Sequence, residues 1–114
     1  MVLVTGGVAS GKRTYVRGLG YTDAQMATSP QGDAPVLMGL EELLRAGELT
    51  PEELAWVRER EVVVCLEVGQ GVVPADAAER AWRERVGRCC QLLAADARAV
   101  VRMVCGIAVS LREA

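Results

Sequence analysis

Two short runs of the chain are apolar without interruption, Val2-Leu3-Val4 and Val62-Val63-Val64-Cys65-Leu66. Neither alternates with polar residues, so Met1–Thr5 and Glu61–Leu66 each predict a strand covered on both faces, as in a parallel sheet. Gly11 to Leu19 predicts a short first helix, closed by Gly18 and Gly20. A brief strand is expected around Gln25–Thr28, then a turn-rich break over Ser29–Asp33, then a short strand over Val36–Met38. That strand should run into a helix over Glu41–Ala46, which Gly47 stops. Thr50-Pro51-Glu52-Glu53 is a helix start, with Thr50 as cap, Pro51 in the first turn and Glu53 completing a capping box. This helix is expected to end near Arg60.

Beyond the second apolar strand, residues 67–74 read as a glycine-containing loop. Asp76 and Glu79 repeat the capping-box spacing and should open the longest helix. Its buried stripe is Ala78, Trp82, Val86, Cys89/Cys90 and Leu93, at steps of three and four residues. Ala99–Cys105 and Ile107–Leu111 predict two last strands separated by Gly106. Strands alternating with helices in this order predict a three-layer α/β fold with a mostly parallel sheet. Right-handed crossovers would then bring loops 6–12 and 67–74 together at the carboxyl ends of strands.

Composition narrows this picture. The 114 residues, 51% of them hydrophobic, are expected to form one domain, 1–114. With 13 basic and 15 acidic residues and no basic block, nucleic acid is not an expected partner. The stretch Arg80 to Arg88 is interleaved with Glu79 and Glu84 and reads as a solvated helix face. No apolar run approaches the roughly 20 residues that cross a bilayer, and the first residues lack a charged leader. A cytoplasmic protein without membrane contact is expected. The four cysteines follow no CxxC spacing and the chain has no histidine. They are read as free buried thiols in a reducing compartment, not as a zinc site.

Lysine occurs once, at the end of Gly6-Gly7-Val8-Ala9-Ser10-Gly11-Lys12, and every other basic residue is arginine. A buried strand, a glycine-rich turn and a lysine at a helix start make a cradle for nucleotide phosphates. Backbone N–H groups wrap the oxygens, and lysine reaches the outer phosphates as a point charge. The expected fold is therefore P-loop NTPase-like (RecA-like). The candidate nucleotide-binding residues are Gly6, Gly7, Val8, Ala9, Ser10, Gly11, Lys12, Arg13 and Thr14, with Lys12 also the catalytic candidate. Arg13 stands where a Ser or Thr hydroxyl would bind Mg²⁺. Thr14 follows one residue too late, about 100° around a helix, and serves as a metal candidate only if the loop re-registers.

These motifs resemble the adenosylcobinamide kinase / adenosylcobinamide-phosphate guanylyltransferase family of cobalamin biosynthesis. Leu3–Lys12 is similar to its phosphate loop, Ala27-Thr28-Ser29 to its second-strand motif, and Glu67-Val68-Gly69-x-Gly71-x-Val73-Pro74 to its most distinctive internal signature. Arg80, Arg83, Gly87-Arg88, Gln91, Leu93-Ala94 and Val104-x-Gly106-Ile107 fit in order and spacing. The resemblance implies GTP or ATP as nucleotide, adenosylcobinamide as substrate and a homo-oligomer. It also implies a fold truncated in the middle, between Ser29 and Val62, with Pro35–Leu44 as a remnant. The family's guanylyl transfer uses a histidine nucleophile, and this chain has none. No carboxylate stands near Met38-Gly39, where a strand-end aspartate would assist Mg²⁺; Glu41 is the nearest. Cys90 replaces a polar residue expected beside Gln91.

Two functions follow from the resemblance. One is a shortened homologue that binds nucleotide with weak or lost catalysis and weakened Mg²⁺ dependence. The other is an active adenosylcobinamide kinase without guanylyl transfer. Glu67 would be its base or an indirect Mg²⁺ ligand; the competing role for Glu67 is to anchor its own glycine loop through backbone amides. The apolar side of Val36–Leu44 and Leu54, Trp56 and Val57 are the residues expected to need a partner subunit for cover.

Overall fold

The computed structural model describes residues 1–68 and 76–113, so most of the predicted 67–74 loop lies outside the described residues. Its elements are β1 (Val2–Gly6), α1 (Lys12–Gly18), a 3₁₀ turn (Asp23–Gln25), β2 (Met26–Ala27), β3 (Val36–Met38), α2 (Leu40–Leu43) and α3 (Pro51–Arg58). They continue with β4 (Val62–Leu66), α4 (Ala77–Asp96), β5 (Ala99–Val104) and β6 (Ile107–Arg112). One six-stranded sheet has the order β2-β3-β4-β1-β5-β6. All neighbours run parallel except β5 and β6, which pair antiparallel.

The two uninterrupted apolar runs are the sheet's centre. Val2 of β1 sits opposite Val62 of β4 on one side and Ala99 of β5 on the other. Alternate residues then feed two cores. Leu3, Leu37, Val63, Cys65 and Val100 meet Leu40 of α2, Val57 of α3 and Trp82, Val86, Cys89 and Leu93 of α4. Val4, Val36, Val62, Val64, Val101 and Met103 meet Val16 of α1 on the opposite face. This is the three-layer arrangement the sequence predicts, and its P-loop NTPase-like class follows from it. No helix among the described residues is long and apolar enough to cross a membrane.

Several local expectations need correction. The helix expected over Glu41–Ala46 shrinks to Leu40–Leu43, and Arg85 of α4 caps carbonyls of the chain that follows it. Its Nε donates to the Leu44 carbonyl at 2.9 Å and its Nη2 to the Arg45 carbonyl at 3.2 Å. Arg85 is thus an anchor between α2 and α4, not part of a solvated face. Thr50 and Glu53 form the full reciprocal capping box. At α4, Asp76 accepts from the Ala78 and Glu79 amides, while the Glu79 carboxylate turns to Arg45 at 2.9 Å instead of closing a box. Ala78 is exposed and leaves the buried stripe. Of the four thiols only Cys65 and Cys89 are buried; Cys90 is half-buried and Cys105 exposed.

The residues expected to need a partner are mostly covered within the chain. Val36, Leu37, Leu40, Leu44 and Val57 are fully buried, and Trp56 is held by donation from its indole N–H to the Gly32 carbonyl at 2.7 Å and by the Arg60 guanidinium over its ring. Four of the seven large apolar side chains left in solvent among the described residues lie elsewhere, on the β5–β6 hairpin: Val104, Ile107, Val109 and Leu111; the others are Val8, Leu19 and Leu92. Arg112 fastens the far end of β6 by donating to the Ala94 and Ala97 carbonyls at the end of α4.

Candidate functional site

β1 ends at Gly6, and the loop to α1 leaves the sheet at its carboxyl edge. The Gly6 carbonyl accepts from the Glu67 amide at 2.8 Å, which joins the ends of the two central strands. The loop then folds over the β5–β6 turn. The Gly106 amide donates to the Ser10 carbonyl at 2.9 Å, and a Cβ on Gly11 would stand 3.2 Å from the Gly106 Cα. Gly11 is left-handed, with φ of 97°, so both conformation and contact favour glycine here.

Gly6 is constrained by space. A Cβ placed on it would lie 2.5 Å from the Ser10 Oγ and 2.8 Å from the Met103 carbonyl oxygen. The second neighbour is backbone of a paired strand and cannot swing aside. Gly6→Ala is therefore expected to cost about 1–3 kcal/mol as overpacking at a rigid site, read by urea denaturation. Gly7→Ala, with open space where its Cβ would be, is the matched control and should stay within about 1 kcal/mol of the parent.

Lys12 folds back over this loop. Its Nζ donates to the Gly6 carbonyl at 3.1 Å and to the Gly7 carbonyl at 2.5 Å. Partial burial lowers its pKa below the ordinary lysine value, and the Glu41 and Glu67 carboxylates oppose that shift. Lys12 also lines an open cleft of about 390 Å³ with Ala9, Ser10, Gly11, Arg13, Thr14 and Met38. A neighbouring cleft of about 260 Å³ shares Lys12, Arg13 and Met38 and adds Thr28, Gly39, Glu41, Glu42 and Val64. The structure therefore gathers most of the predicted loop residues around one opening. Val8 is 83% exposed at the loop tip, and the Ser10 Oγ is buried without a hydrogen-bond partner.

Arg13 lines both clefts and is tied on one side to its neighbours. Its Nη1 lies 3.6 Å from the Asp23 carboxylate and 3.5 Å from the Met26 sulfur. Asp23 is also held in two bonds, 2.8 and 2.7 Å, by Arg17; these bonds hold its carboxyl below the usual range. Thr14 is exposed on α1 and lines the larger cleft.

Glu67 is paired, which the sequence does not reveal. Arg102 of β5 donates to its Oε2 from Nε at 3.2 Å and from Nη2 at 3.1 Å, and Nε also lies 3.0 Å from Oε1. The carboxylate is thus committed to the guanidinium, a poor arrangement for a metal ligand. Glu41, which the sequence marks only as the carboxylate nearest to Met38-Gly39, is drawn into the site. Its Oε1 accepts from the Leu66 amide at 2.7 Å, and it leads the opposite charges acting on Lys12. A carboxylate therefore does stand near the strand end at Met38-Gly39, supplied from the first turn of α2. Among the described residues no three His, Cys, Asp or Glu side chains converge as a metal cluster.

A mostly parallel sheet with a glycine-lysine loop at its carboxyl edge defines a P-loop NTPase-like protein. The comparison with family models carries this further. The model of the cobinamide kinase / cobinamide phosphate guanyltransferase family matches residues 40–111, more than half of the chain, and the chain belongs to that family. The match runs from α2 into β6 and includes Glu41, Glu67 and Arg102; the loop 6–12 lies before it. No curated protein matched the chain directly.

Proposed function

We propose that the chain is a shortened cobinamide kinase / guanyltransferase relative that binds GTP or ATP at Gly6–Thr14 and has weak or lost phosphoryl transfer. The observation that carries this reading is the position of Lys12. Its ammonium lies on the Gly6 and Gly7 carbonyls and the residue lines the 390 Å³ cleft, so that it can turn outward to meet a phosphate. The chemistry around it is incomplete. Arg13 replaces the metal-binding hydroxyl and faces Asp23, and Glu67 is committed to Arg102. Mg²⁺ bound with the triphosphate would screen its charge, with Thr14 and Glu67 the candidate holders. Because these donors fit that task poorly, binding should depend little on the metal.

The second reading, an active adenosylcobinamide kinase, draws support from Glu41, which places a carboxylate opposite Lys12. One assay separates the two. The protein is incubated with adenosylcobinamide, Mg²⁺ and either GTP or ATP, with binding followed by calorimetry and products by mass spectrometry. Nucleotide binding with little phosphorylated product is the expected result; robust turnover selects the kinase. In either case no GMP adduct should form on the protein, since the chain has no imidazole to make the phosphoramidate bond. A stoichiometric adduct would require another nucleophile.

Self-association belongs to this reading as well. The exposed Val104, Ile107, Val109 and Leu111 lie on the antiparallel edge of the sheet, where an unpaired strand invites a second chain. Light scattering over a concentration series should give a mass above the 12.2 kDa of one chain. A constant monomer would remove this part of the proposal.

A further inference from the structure

A triphosphate brings concentrated negative charge, which phosphate loops ordinarily meet with Mg²⁺ held beside a strand-end carboxylate. In this chain a carboxylate of that kind is Glu67, directly after β4. Its backbone amide donates to the Gly6 carbonyl at 2.8 Å, which fixes the residue beside the start of the loop. Left alone, the Glu67 charge would repel phosphate or draw in a divalent cation.

Arg102 answers that charge from within the chain. It lies in register beside Thr5 of β1, and Thr5 lies beside Cys65 of β4, so the guanidinium crosses the end of β1 to reach Glu67. Two donors meet one carboxylate oxygen, at 3.2 and 3.1 Å, and Nε stands 3.0 Å from the other. The pair is not sealed in the core: the Arg102 side chain is 41% exposed and that of Glu67 24%. Ion pairs placed this way add little to stability. What this one changes is the charge that the loop offers a ligand. We propose that Arg102 sets the ligand form of the site: its guanidinium takes the place of a divalent cation on Glu67, so that the loop accepts a nucleoside triphosphate free of Mg²⁺.

The inference rests on the reading that Gly6–Thr14 holds a triphosphate, and Arg13 acts in the same sense. It occupies the position after Lys12 where a hydroxyl would join the metal's shell, and it lines both clefts. Asp23, its neighbour, is already held in two bonds by Arg17. Each of the two places that would serve a metal therefore carries a guanidinium. A guanidinium attracts phosphate but cannot gather six oxygens around itself as Mg²⁺ does. Binding is kept by this exchange, and help for phosphoryl transfer is not.

The test is a double-mutant cycle on the full chain, with Arg102→Gln, Glu67→Gln and the two combined. Calorimetry measures GTP and ATP binding in EDTA and in excess Mg²⁺; electron paramagnetic resonance measures Mn²⁺ binding without nucleotide. The parent should bind equally in the two buffers. Arg102→Gln should lose about tenfold in EDTA, recover it in Mg²⁺, and bind Mn²⁺ about tenfold more tightly than the parent. The double variant, with neither charge, should return to metal-independent binding and lose the added Mn²⁺ affinity. Glu67→Gln, which frees the guanidinium, should bind triphosphate more tightly in EDTA, and it decides the matter if Arg102→Gln does not fold. A merely structural pair gives another pattern, with Arg102→Gln weakened equally in both buffers. That pattern overturns the proposal, as does a parent that needs Mg²⁺, or Mn²⁺ affinity in Arg102→Gln no higher than in the parent. If no protein of the cycle binds triphosphate, the nucleotide-binding reading itself fails, and the Mn²⁺ series alone decides whether Arg102 keeps a cation from Glu67.

Discussion

Replacing Trp82 with alanine should lower the unfolding free energy by about 3–5 kcal/mol, a large share of the stability of a domain this size. Trp82 is 5% exposed and packs in the larger core under α2 and α3. Its indole N–H donates to the Glu41 carbonyl at 2.8 Å, and the Arg45 guanidinium lies 3.4 Å above its ring. Alanine removes the packing, the hydrogen bond and the cation–π contact at once. Trp82→Phe keeps much of the volume and strands the carbonyl, so it should cost less, about 1–3 kcal/mol. Urea denaturation of the three proteins gives the order; a Trp82→Ala loss under about 1 kcal/mol would mean that α4 does not hold α2 in place. Because α2 carries Glu41, the same substitution should also disturb the mouth of the phosphate loop.

That link from Trp82 to Glu41 also marks the boundary of what the sequence reveals. β1, β4 and the Thr50–Glu53 cap are local: a run of apolar residues or a three-residue spacing is enough to specify them. Lys12 is legible for the same reason, since its loop is contiguous. Glu41 and Arg102 are not. Glu41 reaches the site only because β3 pairs with β4 and α2 turns back over their ends. Arg102 reaches Glu67 from the strand on the other side of β1. Neither contact has a sequence signature, because each depends on strand order. The end of α2 is a similar case, since the carbonyls just past it are capped by an arginine some forty residues away.

Lys12→Ala should weaken triphosphate binding by about 10–100-fold, the equivalent of losing one charge-assisted contact to phosphate. Calorimetry measures the loss, and Lys12→Gln separates charge from length. Thermal melts of both variants control for the loop, because Lys12 also braces the Gly6 and Gly7 carbonyls. The pH dependence has a definite sign. Burial depresses the Lys12 pKa, so the ammonium loses its proton on the alkaline side earlier than an ordinary lysine would. Triphosphate affinity should therefore fall as pH rises, and binding near that pKa should take up a proton, because phosphate favours the charged form. Equal affinity in parent and Lys12→Ala would remove the phosphate-loop reading, while leaving family membership untouched.

The position of β1 at the centre of the sheet also governs how the protein must be made. Its two partners come late: Val2 waits for Val62 on one side and Ala99 on the other. At a synthesis rate of about 5–20 residues per second, the first strand would stand without its second neighbour for roughly 5–20 seconds. Throughout that interval a strand built from Val2, Leu3 and Val4 is a template for any other extended chain nearby. Soluble yield should therefore follow translation speed, temperature and the supply of chaperones more closely than it follows the equilibrium stability of the finished fold.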